Sequence, residues 1–273
     1  MTIAERLVQS YFNVVYTPLY DSTVGGLSAY RDLQQRCIQQ LDLQDGDRVL
    51  CVGVGTGNEI SHILNVGRRV EIVGIDISEN ALVRAYRKAL RTGTHVGLFK
   101  MDARRLEFPS ETFDKVVCIH VTDWVADGEQ LTAEVLRVLK KGGTFAITYP
   151  AEKEGAQLGA NVLMEDLRQD LGARRVGRAL RRVLGLAGLS LVYLPFLFRP
   201  KQRVYAPAEI RRILTDFGVR YFRLERNDVY LDLIISGQKE GATKRDSARQ
   251  TSGGLVLLQP ERGRDLAPVL RVH

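Results

Sequence analysis

Apolar residues recur at helical spacing at the start of the chain, where Leu7, Val8, Tyr11, Phe12 and Val15 share one face. The Thr17-Pro18 step interrupts that pattern, and Gly25-Gly26 follows. A second helix is predicted from Ser28, read as its N-cap, to about Leu41. After the turn Asp45-Gly46-Asp47 the period changes. Short apolar runs appear at 48–52, 70–75, 96–101, 115–119 and 144–148, separated mostly by helical stretches at 59–66, 79–91 and 128–140. Strands that alternate with helices predict βαβ crossovers and a parallel sheet covered on both faces. Residues 151–203 break this rhythm and read as helical. A helix at 207–217 opens on Pro207 and ends at Gly218. The runs 219–225 and 229–236 are too close for a crossover and predict an antiparallel hairpin.

These elements divide the chain into an N-terminal helical cap (1–47), a core (48–150), a helical insertion or lid (151–206), a helix and hairpin completing the core (207–237), and a tail expected to be disordered (238–273). The 273 residues are 45% hydrophobic, which excludes global disorder, and no short repeat suggests a fibrous chain. Cys37, Cys51 and Cys118 are odd in number and form no CxxC pair, so neither a disulfide framework nor a zinc site is expected. The N-terminus has an early acid and no apolar h-region. A cytoplasmic protein is expected on these grounds.

The sharpest motif is Val49-Leu50-Cys51-Val52-Gly53-Val54-Gly55-Thr56-Gly57-Asn58, which follows a predicted strand and opens a helix. Its glycines permit a tight turn and close approach of backbone to a ligand, and the helix amides face an anionic group, a phosphate or a carboxylate. A dinucleotide fingerprint would need glycine at position 58, where this chain has Asn58. A P-loop would need Gly-Lys-Ser/Thr, which is absent. Asp76 ends the second strand, where an acid reaches ribose hydroxyls, although a helix cap ahead of Ser78-Glu79-Asn80 is the alternative. Asp102-Ala103 follows the third strand, where a carboxylate or a backbone group can take an adenine amino group. A simple loop acid is the alternative there.

From Val49 to Pro150 the chain resembles the class I S-adenosylmethionine-dependent methyltransferases, and within them the group of ubiquinone and menaquinone methyltransferases. The matching segments are the glycine loop, Val73-Gly74-Ile75-Asp76-Ile77-Ser78, Lys100-Met101-Asp102-Ala103, Leu106-Glu107-Phe108-Pro109-Ser110-Glu111-Thr112-Phe113-Asp114, and Leu139-Lys140-Lys141-Gly142-Gly143. The resemblance implies an α/β, Rossmann-like, seven-stranded sheet, mostly parallel with an antiparallel C-terminal strand. Helices cover both faces, and the insertion follows strand 5. It also implies S-adenosyl-L-methionine as cofactor. The implied binding positions are Cys51, Gly53, Val54, Gly55, Thr56, Gly57 and Asn58 in the loop, and Asp76, Ile77, Asp102, Ala103 and His120 beyond it. Tyr20, in the pair Tyr20-Asp21, resembles a residue that closes over the cofactor, with packing and a turn as the alternative. One departure stands out. The family usually has an acid where this chain has Cys51, and Asn58 or Glu59 are the candidate substitutes.

Methyl transfer from a sulfonium is an in-line displacement in which positioning and desolvation contribute much. His120, after the fourth strand, is the candidate general base, with cofactor contact or a satisfied loop carbonyl as the alternative. No spacing suits a metal. Net charge is +7, and the 39 basic residues comprise 30 Arg and 9 Lys. Arg168, Arg174, Arg175, Arg178, Arg181 and Arg182 are accompanied only by Asp170 in 168–182. A charge-free run follows from Val183 to Phe198, shorter than the roughly 20 residues of a membrane span and broken by Gly185, Gly188 and Pro195. A basic amphipathic face beside an apolar run suits peripheral contact through 168–198 with a membrane, and a lipid or small-molecule substrate. A lid with a solvated arginine face is the alternative. Nucleic acid is disfavoured, because stacking aromatics are not interleaved with the arginines. The expected acceptor is therefore a prenylated quinone precursor or a phospholipid headgroup, at the inner face of the membrane. The alternative function is an inactive cofactor-binding or membrane-associating module.

Overall fold

Val49–Val52 is buried on both faces because the strand lies at the centre of a sheet with helices on either side. That sheet is seen in a computed structural model. It describes residues 27–125, 127–151 and 203–240, with Ser10, Thr17, Asp21, several positions between Asn161 and Gly172, and the pair Leu270–Arg271. Its elements are α1 (Ser28–Gln39), β1 (Arg48–Val52), α2 (Asn58–Asn65), β2 (Glu71–Asp76), α3 (Glu79–Thr92), β3 (Val96–Lys100), β4 (Phe113–Cys118), α4 (Gly128–Val138), β5 (Leu139–Pro150), α5 (Pro207–Asp216), β6 (Phe222–Asn227) and β7 (Asp232–Gln238), followed by the two-residue β8 (Leu270–Arg271).

The strand order is β6-β7-β5-β4-β1-β2-β3-β8. Strands β1 to β5 run parallel, and β7 lies antiparallel between β5 and β6. The seven-stranded, mostly parallel sheet with an antiparallel C-terminal strand is thus as expected. β8 adds a short antiparallel pairing of Gly97 with Arg271 and Leu98 with Leu270. Of the expected tail, residues 241–269 lie outside the described residues. One face of the sheet packs on α1, α2 and α3 through Leu33, Cys37, Ile60, Ile63 and Leu82. The other packs on α4 and α5 through Leu131, Val135, Ile210 and Ile213, with Phe113, Phe145 and Tyr149 beneath.

Several boundaries differ from expectation: the hairpin strands start at Phe222 and Asp232 rather than 219 and 229, the fourth strand starts at Phe113 rather than 115, and the helix from Gly128 ends at Val138 rather than 140. Leu27, not Ser28, occupies the N-cap of α1 and makes no side-chain cap bond, and Ser28 is already helical and buried. β5 begins at Leu139 rather than Thr144, because Leu139 pairs with Phe113 before a register shift that pairs Thr144 with Lys115. The Lys140–Gly143 stretch is kept on the sheet by backbone bonds from Gly142 N to Lys239 O and from Lys239 N to Gly143 O. The helical reading of 151–203 and the arginine and apolar runs of 174–198 fall almost wholly outside the described residues, although Arg168 is helical and exposed. Among the described residues no helix is long and apolar enough to cross a membrane.

Candidate active site

β1 has β2 on one side and β4 on the other, and the strand order reverses between β1 and β4. Ligands of open α/β sheets bind in the crevice at the carboxyl ends of strands flanking such a point. Two segments meet there, the loop 53–57 after β1 and the stretch 119–121 after β4. They touch, since a Cβ placed on Gly53 would overlap Val121 Cγ2. Gly53, Gly55 and Gly57 all have positive φ, at 66°, 53° and 82°. At Gly57 a Cβ would stand 3.0 Å from Ala85 of α3, so the missing side chain lets α2 start tight against its neighbour. Over Gly55 the space is open, with only Gly53 O at 3.9 Å. A ligand can therefore lie on the backbone of the loop.

Asp76 accepts from Gly55 N at 2.9 Å through Oδ2 and from Ser78 N at 2.8 Å through Oδ1. Burial raises its carboxyl above the usual range, and the N–H groups of Ser78, Gly55 and Ile77 oppose that rise. Ser78, not Asp76, supplies the side-chain cap of α3, accepting from Ala81 N at 3.2 Å. Beside it Ile77 is 51% exposed, an apolar edge next to a half-buried acid. Asp102 is turned toward Arg104, whose Nη2 lies 2.6 Å from Oδ2, and those bonds hold its carboxyl below the usual range. Ala103 is buried at the start of the following turn.

A polar network tightens the loop from outside. Lys88 of α3 donates to Asp21 Oδ1 at 2.6 Å, to Asn58 Oδ1 at 2.6 Å and to Thr56 Oγ1 at 3.1 Å. Thr56 Oγ1 donates to the same Asp21 oxygen at 2.6 Å. With its Oδ1 taken by Lys88, Asn58 leaves Nδ2 buried and without a hydrogen-bond partner among the described residues. An unfilled donor at the first residue of α2, beside the positive end of the helix dipole, fits an anionic group. Tyr20 lies outside the described residues, while its neighbour Asp21 bonds to Thr56 of the loop and to Lys88.

Cys51 is buried in β1, and its thiol is pushed well up, first by burial and then by the carboxyl of Glu59. Glu59, in the first turn of α2, is 6% exposed, and burial pushes its carboxyl up to about 7. A buried acid thus stands near position 51, contributed by the helix after the loop rather than by the strand.

His120 has φ 55°, a left-handed conformation that non-glycine residues adopt infrequently and that recurs at functional sites. Thr148 of β5 sustains it by accepting from His120 N at 2.8 Å. The imidazole Nε2 lies 2.6 Å from Oδ2 of Asp232, the first residue of β7. Tyr30 and Tyr230 complete a three-ring group, with centroids 5.4 and 5.1 Å from His120 and 5.8 Å from each other.

Lys88, Asp232, Tyr30 and Tyr230 carry no local signal in the sequence, because each comes from an element remote in the chain from the loop or strand end it joins. A left-handed loop open above, a half-buried acid beside an exposed apolar edge, and an orphaned amide donor fit a ligand with an adenosine end and a carboxylate end. S-adenosylmethionine has both. When bound it supplies an electrophilic methyl group on a sulfonium sulfur.

Comparison with known proteins agrees. Residues 50–147 match the family described as a methyltransferase domain. A phosphatidylethanolamine N-methyltransferase from Cereibacter sphaeroides is 36% identical over 147 residues, 52% of this chain and 68% of that protein. A demethylmenaquinone methyltransferase from Shouchella clausii is 31% identical over 143 residues, 51% of this chain and 60% of the relative's length. Magnesium protoporphyrin IX methyltransferase from Synechocystis, a structure with bound SAH, shares the fold with a TM-score of 0.59 at 17% identity, covering 87% of this chain and all of that one. With the glycine loop, the strand order and a relative matched over two thirds of its length, the chain belongs to the class I S-adenosylmethionine-dependent methyltransferases.

Proposed function

We propose that this methyltransferase transfers its methyl group to an amphiphilic acceptor, a phospholipid headgroup or a prenylated quinone precursor, presented at the cytoplasmic face of a membrane. The observation that carries the reading is where the insertion leaves and rejoins the fold. β5 ends at Pro150, at the same sheet edge as the glycine loop, and Tyr205 N donates to Pro150 O at 3.0 Å where the chain returns. The two ends of the 151–204 stretch therefore meet at the methyl-transfer edge, and its sequence contains the arginine series and the 183–198 apolar run. Relatives named for phosphatidylethanolamine and demethylmenaquinone support an acceptor of this class.

Within the site, the proposal gives Asp76 the ribose hydroxyls, Asn58 and the α2 amides the cofactor carboxylate, and Asp102-Ala103 the adenine edge. The loop residues Cys51 to Gly57 form the floor. His120 stands at the acceptor side.

Co-sedimentation with anionic and neutral vesicles, together with labelled methyl transfer to lipid extracts, tests the reading. Salt-sensitive binding to anionic vesicles is expected, because each arginine near such a surface contributes about 1 kcal/mol that fades with ionic strength. Replacement of Arg174, Arg175, Arg178, Arg181 and Arg182 by Gln should remove that binding. Wild-type protein that stays in the supernatant at low salt, with labelled product only in the water-soluble fraction, would replace this reading with a lid over a small soluble substrate.

A further inference from the structure

Glu59 and Gln34 form a buried polar pair just past the glycine loop. Glu59 lies in the first turn of α2 and is 6% exposed. Gln34 comes from α1, which packs on α2, and is 1% exposed. The Gln34 amide stands close enough to the Glu59 carboxyl to oppose the rise that burial causes there. Even so, Gln34 Oε1 and Nε2 make no hydrogen bond among the described residues. Buried polar groups are normally paired, so an amide left incomplete beside a buried acid points to a ligand.

The chemistry of that ligand follows from what the pair lacks. A carboxylate and an amide oxygen both accept, so the missing group is a donor, and beside an acid a cation. Lys88 does not fill this role, because its ammonium is spent on Asp21, Asn58 and Thr56. The other titratable groups that act on Glu59 or feel its charge, among the described residues, are Asp76 of β2, Cys51 of β1, Cys37 of α1 and Cys118 of β4. Asp76 is an acid, and burial pushes the three thiols up, so they stay neutral. On the preceding residue, Asn58 Nδ2 is an orphaned donor. Consecutive helical side chains diverge by about 100°. Asn58 therefore faces Lys88 on α3, Glu59 faces Gln34 on α1, and the start of α2 lies between them. A donor on one side and acceptors on the other complement the carboxylate and the ammonium of an α-amino acid.

We propose that Glu59 and Gln34 together bind the α-ammonium group at the methionine end of the cofactor. The proposal rests on the placement of the cofactor carboxylate at Asn58 and the α2 amides given above, and it is independent of the acceptor. Glu59 Oε and Gln34 Oε1 each accept one ammonium N–H, while Gln34 Nε2 can donate to the second carboxylate oxygen. Binding is then coupled to a proton. Burial pushes the Glu59 carboxyl up to about 7, so below that pH the free protein holds it neutral. The ammonium favours the carboxylate, and the displaced proton leaves to water. Affinity for the cofactor therefore rises with pH up to about 7 and levels off above it.

Calorimetric titration of the full-length protein tests this without turnover. The two ligands are S-adenosylhomocysteine and its analogue with hydrogen in place of the α-ammonium group. At pH 7.5 the wild type should prefer S-adenosylhomocysteine by about 10- to 100-fold, the scale of hydrogen bonds between charged groups. Glu59→Gln keeps the shape and should lose most of that preference by weakening S-adenosylhomocysteine alone. Gln34→Leu should weaken it about three- to tenfold. Neither change should move Kd for the analogue more than about twofold, whereas a pair that only ties α1 to α2 would weaken both ligands alike. At pH 6 the wild type should release about one proton more on binding than Glu59→Gln does, read from the dependence of the heat on buffer ionisation.

Equal wild-type affinity for the two ligands overturns the ammonium seat and leaves the carboxylate placement standing. So does a preference unchanged in Glu59→Gln, or equal weakening of both ligands by that variant. Asn58→Asp, whose charge repels a carboxylate, decides the other half. If it binds S-adenosylhomocysteine as the wild type does, the carboxylate placement fails, and the preference ratio in Glu59→Gln then decides the seat alone.

Discussion

Gly53 and Val121 are in such close contact that a Cβ at position 53 would overlap the valine methyl Cγ2. This contact ties the glycine loop of β1 to the segment after β4 and sets the width of the crevice between them. Gly53→Ala should cost roughly 1–3 kcal/mol of stability from overpacking and left-handed backbone strain. Val121→Ala in the same chain should recover only the steric part, because φ at position 53 remains 66°. Urea unfolding of the single and double variants checks this. Full recovery in the double variant would show that the backbone conformation carries no cost.

Asp76→Ala should weaken S-adenosylmethionine binding by about 1–3 kcal/mol, the scale of hydrogen bonds to a charged group. It also leaves the N–H groups of Gly55 and Ser78 without their acceptor, so the loop loosens along with the ligand contact. Isothermal titration with the cofactor and its demethylated product measures the loss. An unchanged Kd for both would remove Asp76 from the site.

Glu59 produces a pH dependence of definite sign. Its carboxyl is raised from 4.5 to about 7 by burial, so the unfolded chain releases this proton first as pH rises. Stability contributed by the protonated form is present below the unfolded value and is lost between about pH 4.5 and 7, by about 3 kcal/mol at most. Glu59→Gln should flatten the stability profile across that window and raise stability near neutrality. Cys51→Asp should destabilise the parent strongly, since two buried acids then face each other. It should do so less in the Glu59→Gln background. Chemical denaturation at several pH values separates these outcomes, and parallel profiles for parent and Glu59→Gln would contradict the account.

Lys88→Met removes a cation that Asp21, Thr56 and Asn58 share. The Asn58 amide then loses the bond that fixes its orientation, and Asp21 loses its charged partner. Affinity for S-adenosylmethionine should fall about three- to tenfold, corresponding to about 1 kcal/mol. Amide exchange around Asp21 should speed up. Unaltered exchange there would mean that the Lys88 ion pair does not hold Asp21 in place.

Periodicity along the chain places β1, β2 and β3 within a residue or so, because central strands are continuous apolar runs bounded by turns. Gly53-Val54-Gly55-Thr56-Gly57 and Asp76 are legible for a related reason: a left-handed loop and a strand-end acid are demands of one short segment on its own residues. Local signals fail where a distant neighbour sets the outcome. Leu139 joins β5 early because Lys239, beyond the far hairpin, pairs with the Lys140–Gly143 stretch. His120 is identifiable as a residue after a strand, but its contact with Asp232, 112 positions away, is not. Lys88 reads as a helix-surface lysine, and only the packing of α3 lays it beside Asn58. Nearest-neighbour chemistry is thus enough to specify which segments form the sheet and where the ligand loop lies. Which acid, which ring and which cation share a site is settled by the fold, because sheet order brings together residues that no spacing along the chain relates.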